Sequence, residues 1–235
     1  MTEKTPYNSK FYSTHKKGMA TSAEVILGYL NQFYQPKKVV DIGCGQGNWL
    51  AVAKKVWNCD VTGYDGNWVN QETLADDSIE FNSVDLSDVT YNIENRFDLC
   101  ISLEVAEHLP KERAVSFINM LTKTSSVILF SAAIPGQGGA GHINERWQSY
   151  WIKLFEQNGY IGFDAIRPKV WTHKDVEWWY KQNIFLFIKS DCSILNEDIF
   201  QTPKLDSSST VDLIHPDHYV EKMRYIMHLQ ASSKK

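Results

Sequence analysis

The chain has 235 residues, of which 43% are hydrophobic, and a formal net charge of −4. This suffices for one buried core plus a tail and excludes the basic footprint of a nucleic-acid binder. No apolar run reaches bilayer length, the polar start cannot be a signal h-region, and the four cysteines (Cys44, Cys59, Cys100, Cys192) lack framework spacing, so we expect a cytoplasmic protein with reduced thiols and no membrane insertion.

Residues 1–20 are polar and aromatic and read as an N-terminal arm or lid. Thr21-Ser22-Ala23-Glu24 has the form of a capping box, followed by one apolar helical face from Val25 to Phe33. Pro36 closes that helix. Lys38 to Ile42 reads as a first strand and runs into Gly43-Cys44-Gly45-Gln46-Gly47, with a helix marked by Leu50, Ala53 and Trp57 beyond it. Further strands are expected at Asp60 to Tyr64, Ile79 to Val84, Phe97 to Leu103 and Ser126 to Ser131. Pro110 opens an amphipathic helix carrying Phe117, Ile118 and Leu121, and Trp147 to Asn158 forms another. Tyr160 to Ile166 and Ile184 to Ile188 complete a seven-stranded, mostly parallel, doubly wound sheet between two helical layers, with the final pair antiparallel. The resulting division is 1–20 arm, 21–190 domain and 191–235 linker plus helix.

The glycine turn places a nucleotide-type ligand at the carboxyl end of the first strand, because backbone without Cβ lets a ligand approach closely. A dinucleotide fingerprint needs a third glycine where Asn48 stands. The next strand tips end in acids: Tyr64-Asp65-Gly66 for a ribose diol, Ser83-Val84-Asp85-Leu86 for an adenine edge, and Ser102-Leu103-Glu104-Val105-Ala106-Glu107-His108 beside them. Taken singly, Asp65 or Asp85 serves equally well as a turn cap.

This order of motifs resembles the class I S-adenosylmethionine-dependent methyltransferases over roughly residues 20–190, with a Rossmann-like fold. The segments Ser131-Ala132-Ala133-Ile134-Pro135-Gly136-Gln137-Gly138-Gly139, His142 to Trp147 and Trp178 to Asn183 are similar to a bacterial subgroup often found among genes for surface polysaccharides and small modified metabolites. The resemblance implies S-adenosyl-L-methionine as cofactor, contacted by Asp41, Gly43, Cys44, Gly45, Asp65, Gly66, Asp85, Leu86, Leu103 and Glu104. Tyr12 and Lys16 would close over it. Cys44 is a small loop filler rather than a nucleophile, since no base lies near it in sequence.

Methyl transfer to a hydroxyl requires alignment, exclusion of water and removal of a proton. His142 is the candidate general base, weighed against a role as helix cap, and Glu104 and Glu107 are the alternative bases. A structural amide partner for Glu107 is the competing reading. Glu104, His108 and His142 do not match a zinc spacing, and no metal is expected. Arg146, Arg167, Lys169 and His173 are candidates for holding an anionic group of the acceptor. The expected function is methylation of a small-molecule polar acceptor at oxygen by a monomer or homodimer. A non-catalytic cofactor-binding scaffold and an N-methyltransferase of a small amine are the alternatives.

Overall fold

The computed structural model describes residues 9–233 apart from 89, 94–95, 197–203 and 206–208, and the side chains of 9–17 and 195–196 are also outside the description. Alternation of apolar residues builds the sheet. Along β1 (Lys38–Ile42), Val39 faces one helical layer while Val40 and Ile42 face the other. The same division holds in β5 (Val127–Ser131), where Leu129 faces the first layer and Ile128 and Phe130 the second.

The first layer is α1 (Ser9–Leu30) with α2 (Asn48–Trp57), through Ile26, Leu27, Leu30, Trp49 and Leu50. The second is α3 (Ala114–Thr124) with α4 (Gln148–Gln157), through Phe117, Ile118, Trp151 and Phe155. Phe155 stacks on Phe187 with centroids 3.8 Å apart. Burying such a ring contributes about 1.5–3 kcal/mol.

The remaining strands are β2 (Asp60–Asp65), β3 (Glu80–Ser83), β4 (Leu99–Leu103), β6 (Tyr160–Phe163), β7 (Phe185–Lys189) and β8 (Lys204–Leu205). The order across the sheet is β3-β2-β1-β4-β5-β7-β6-β8. β1 to β5 run parallel, and β7 pairs antiparallel with both β5 and β6. The chain reverses its progress across the sheet between β1 and β4, and this switch point is where an open α/β sheet leaves a crevice.

Two expectations are corrected. The sheet has eight strands rather than seven, because β8 pairs with β6 inside the segment read as a linker. A short polar sequence hides a two-residue strand, since edge pairing demands backbone rather than apolar pattern. Thr21 does not cap α1 but lies within it. Its hydroxyl donates to the Gly18 carbonyl at 3.1 Å, a bond open to any mid-helix Thr. The C-terminal segment is pinned to the domain: Asp212 accepts from the backbone and hydroxyl of Ser149, both at 2.8 Å, and α7 (Pro216–Ser232) starts at His215, whose backbone amide donates to Gln182.

Candidate functional site

The turn after β1 is shaped by left-handed backbone. Gly43 has φ 88°, and a Cβ there would lie 2.3 Å from Val105 Cγ2. Gly47 has φ 73° and begins α2, where a Cβ would meet Ile79 at 2.5 Å. Only glycine satisfies both demands. Asp65, at the tip of β2, ties the turn down. Its Oδ2 accepts from the Gly45 amide at 2.7 Å and its Oδ1 from the Gly66 amide at 2.6 Å. Burial raises the Asp65 carboxyl, opposed by those two amides and by Trp68. Asp41 is buried in β1 and raised well above the carboxylate range, first by burial and then by Asp65. Cys44 fills space beside Gly63, and its thiol is held up by burial and then by Asp41 and Asp65.

Asp85 and Leu86 have local duties. Asp85 is exposed, and its Oδ1 accepts from the amide and hydroxyl of Ser87. The Leu86 side chain lies in the second core, while its carbonyl accepts from Nε of the buried Arg113 at 2.9 Å. Leu103 ends β4 in the first core. Tyr12 and Lys16 have side chains outside the described residues.

Glu104 follows β4 with φ 57°, unusual for a residue with a Cβ, and such backbone costs about 1–3 kcal/mol. It is held by side chains from two other segments. Gln137 Nε2 donates to Oε2 at 2.8 Å, and Asn183 Nδ2, from α6 (Trp178–Asn183), donates to Oε1 at 3.1 Å. Gln182 extends this network, donating to Gln137 Oε1 at 3.1 Å and accepting from the His215 amide at 2.9 Å. Trp49 donates to the Tyr180 hydroxyl at 3.3 Å across the first layer. Gln137, Asn183, Gln182 and Tyr180 had no assigned role in the sequence reading. Their signal was the two segments that carried the family resemblance, but nothing in them indicated contact with Glu104.

Burial pushes Glu104 up to about 7, against the hydrogen bonds it receives. Glu107, wholly buried in the turn at Ala106–His108, is raised further, by burial and then by the charge of Glu104. Among the described residues neither Glu107 carboxylate oxygen has a well-formed hydrogen bond, while the backbone amides of Glu107 and Ala133 lower its carboxyl against the burial. The Glu107 backbone carbonyl does have partners: the amides of Ile143 and Asn144 donate to it at 2.9 and 3.0 Å, fastening the loop after β5 against the tip of β4.

That fastening delivers His142. Its Nδ1 lies 2.9 Å from Glu145 Oε1, and Glu145 also accepts the amides of Gly136 and Gly138. Burial raises Glu145, but the bonds from His142, Gly138 and Gly136 outweigh it and leave the carboxyl below its ordinary value. His142 does not cap α4, whose N-cap is Trp147 with no side-chain cap bond. The His142 ring stands edge-on to His108, centroids 4.6 Å apart. Burial, and then His142, lowers His108 to about 4.

The candidates for an anionic acceptor separate in space. Arg167 is a core residue: it pairs with Asp164 at 2.6 Å, donates to the carbonyls of Gln182 and Val211, and lies over the Phe185 ring. Lys169 lies over Tyr29, and His173 accepts from the Asp175 amide. Arg146 borders an open groove of about 530 Å³, with Trp147, Tyr150, Lys153 and Glu145. No helix among the described residues is long and apolar enough to cross a membrane.

A family model described as a methyltransferase domain matches residues 19–185. The chain is 29% identical over 125 residues to the ribosomal protein L11 methyltransferase of Thermotoga neapolitana, a match spanning 50% of this chain and 45% of that protein. Among solved structures it resembles an O-methyltransferase family protein from Burkholderia thailandensis (TM-score 0.57, 11% identity, 78% of this chain and 61% of that one). It also resembles DhpI in complex with SAH, S-adenosylhomocysteine (TM-score 0.54, 17% identity, 76% of this chain and 88% of that one). The chain thus spans less than two thirds of the curated relative and of the Burkholderia protein. It belongs to the methyltransferase-domain family, among the class I S-adenosylmethionine-dependent methyltransferases.

Proposed function

From its place among these enzymes, we propose that the chain methylates a small polar acceptor at oxygen, sugars and phosphate-bearing metabolites included. The observation that carries this reading is a set of acids at successive strand tips, the buried Asp41, Asp65 and Glu107 and the half-buried Glu104, with no ion pair to any of them among the described residues. Uncompensated carboxylates in a low dielectric favour a cationic ligand. S-adenosylmethionine, when bound, supplies a methyl group on a positively charged sulfur and leaves as the uncharged thioether.

Asp41, Asp65 and the Gly43 to Gly45 turn hold this donor in our reading, with Cys44, Gly66, Asp85, Leu86 and Leu103 around it. Tyr12 and Lys16 of the 1–20 arm cover it. Glu104, held by Gln137 and Asn183, faces the transferring end. Glu104, Glu107 and His142 handle the acceptor proton: the acceptor oxygen gains the methyl group and its hydroxyl proton passes to this cluster. The groove lined by Arg146, Trp147, Tyr150 and Lys153 supports an acceptor with a flat apolar face and an anionic group. We place the reaction in the cytoplasm, carried out by a monomer or homodimer. Incubation with methyl-labelled donor and a panel of sugar phosphates, sugar nucleotides and small amines tests the proposal. Label in an oxygen ether of a sugar or phosphate-bearing acceptor is the expected result. Label appearing only on amines, or no binding of the donor by calorimetry, refutes it.

A further inference from the structure

We propose that Glu107, His108 and His142 form a binding site for one divalent transition-metal cation. A carboxylate oxygen of Glu107 and one nitrogen of each imidazole all lie within 4.8 Å of one another. Ligands at about 2.0–2.2 Å from a shared zinc-like ion stand closer than that, so a modest contraction closes the set.

Three independent observations support the site. First, the Glu107 side chain is 0% exposed and neither oxygen has a well-formed hydrogen bond among the described residues, its interactions being with the amides of Glu107 and Ala133 and the carboxyl of Glu104. A buried carboxylate so weakly held is costly, and a cation removes the cost. A proton shared with Glu104 would occupy one oxygen and leave the other unsatisfied. Second, each imidazole has a hydrogen-bonded nitrogen, which orients the ring. His142 Nδ1 is bonded to Glu145 at 2.9 Å, leaving Nε2 for an ion, and His108 is bonded to the backbone of Gly141. Metal-bound histidines carry such carboxylate and carbonyl partners almost always. Third, the two halves of the set are stapled by the amides of Ile143 and Asn144 on the Glu107 carbonyl, so a donor from the long loop is held against donors from the turn after β4.

Two imidazoles and one carboxylate suit zinc, manganese, iron, cobalt or nickel better than magnesium or calcium, and leave coordination positions open. In the function proposed above, on which this last point rests, an open position is where an acceptor hydroxyl would bind and become more acidic, and with Glu107 and His142 ligating the ion it is Glu104 that takes the proton.

The test is titration of the chelator-dialysed full chain with Co²⁺, followed by visible absorption and calorimetry, without donor or acceptor. We expect one equivalent with ligand-field bands. Glu107→Gln, His108→Ala and His142→Ala should each weaken binding at least about 100-fold, and Glu145→Gln about 10–100-fold. Asp76→Asn, at a half-buried acid elsewhere, should leave it unchanged. Circular dichroism and S-adenosylhomocysteine binding verify that each variant is folded. Absence of stoichiometric Co²⁺ binding, or equal binding by a folded His108→Ala/His142→Ala double variant, overturns the site. Co²⁺ binding without methyl transfer to any acceptor would count against the functional proposal alone. Methyl transfer by a chain that binds no Co²⁺ would count against the metal site alone.

Discussion

The carboxylate of Asp65 accepts the backbone amide of Gly45 at 2.7 Å, joining the tip of β2 to the turn that follows β1. One acid therefore shapes the glycine turn and charges it. Asp65→Ala should weaken S-adenosylhomocysteine binding at least tenfold by calorimetry, about 1.4 kcal/mol or more. Affinity within threefold of the parent would remove Asp65 from the donor site.

Asp41 gives a pH dependence of definite sign. Its pKa in the folded chain is raised by burial and then by Asp65, so the folded state binds the proton more tightly than the unfolded state. Ionisation therefore opposes folding. The associated stability is present at low pH and is lost as pH rises from the unfolded carboxylate value through the raised folded one. Asp41→Asn removes that loss. Urea unfolding at pH 8 should show a higher midpoint for the variant than for the parent, with the gap narrowing towards pH 4. The same variant should bind the cationic donor more weakly. A lower midpoint at pH 8 would contradict this account.

At Gly43 two separable penalties meet. A Cβ would strike Val105 at 2.3 Å, and φ 88° disfavours any side chain. Gly43→Ala should cost roughly 1–3 kcal/mol in denaturant unfolding. Adding Val105→Ala should relieve the clash but leave the backbone penalty. Full recovery in the double variant would mean that the left-handed backbone carries no cost.

Arg167 joins the C-terminal segment to the core through Asp164, the Gln182 carbonyl and the Val211 carbonyl. Arg167→Met should destabilise the chain by about 3–5 kcal/mol, as expected for a broken buried ion pair. Limited proteolysis should then cut first within residues 209–216. Unchanged stability and an uncut C-terminal segment would show that this anchor is dispensable.

Much of the fold could be read from the chain because its signals are local. The alternation in Val39-Val40 and in Ile128-Leu129 assigns each side chain to a layer, and the turn at Gly43 marks the end of the first strand. The errors fell where local pattern competes with partners distant in sequence. Lys204-Leu205 has no strand signature, and its pairing exists because the β6 edge is there to receive it. Thr21 and Glu24 have the letters of a helix start, yet α1 begins at Ser9 and runs through them.

By itself the sequence determined the order of the first seven strands and of the helices that flank them, the glycine turn, the acids at the strand tips and, through them, the methyltransferase family. These depend on period, spacing and residue type within short windows. Only the tertiary structure decided that Glu104 is held by Gln137 and Asn183, that Arg167 belongs to the core, and that His142 meets His108 and Glu107. Those contacts join residues 15 to 79 positions apart, and only the packing of loops over the sheet brings them within bonding distance.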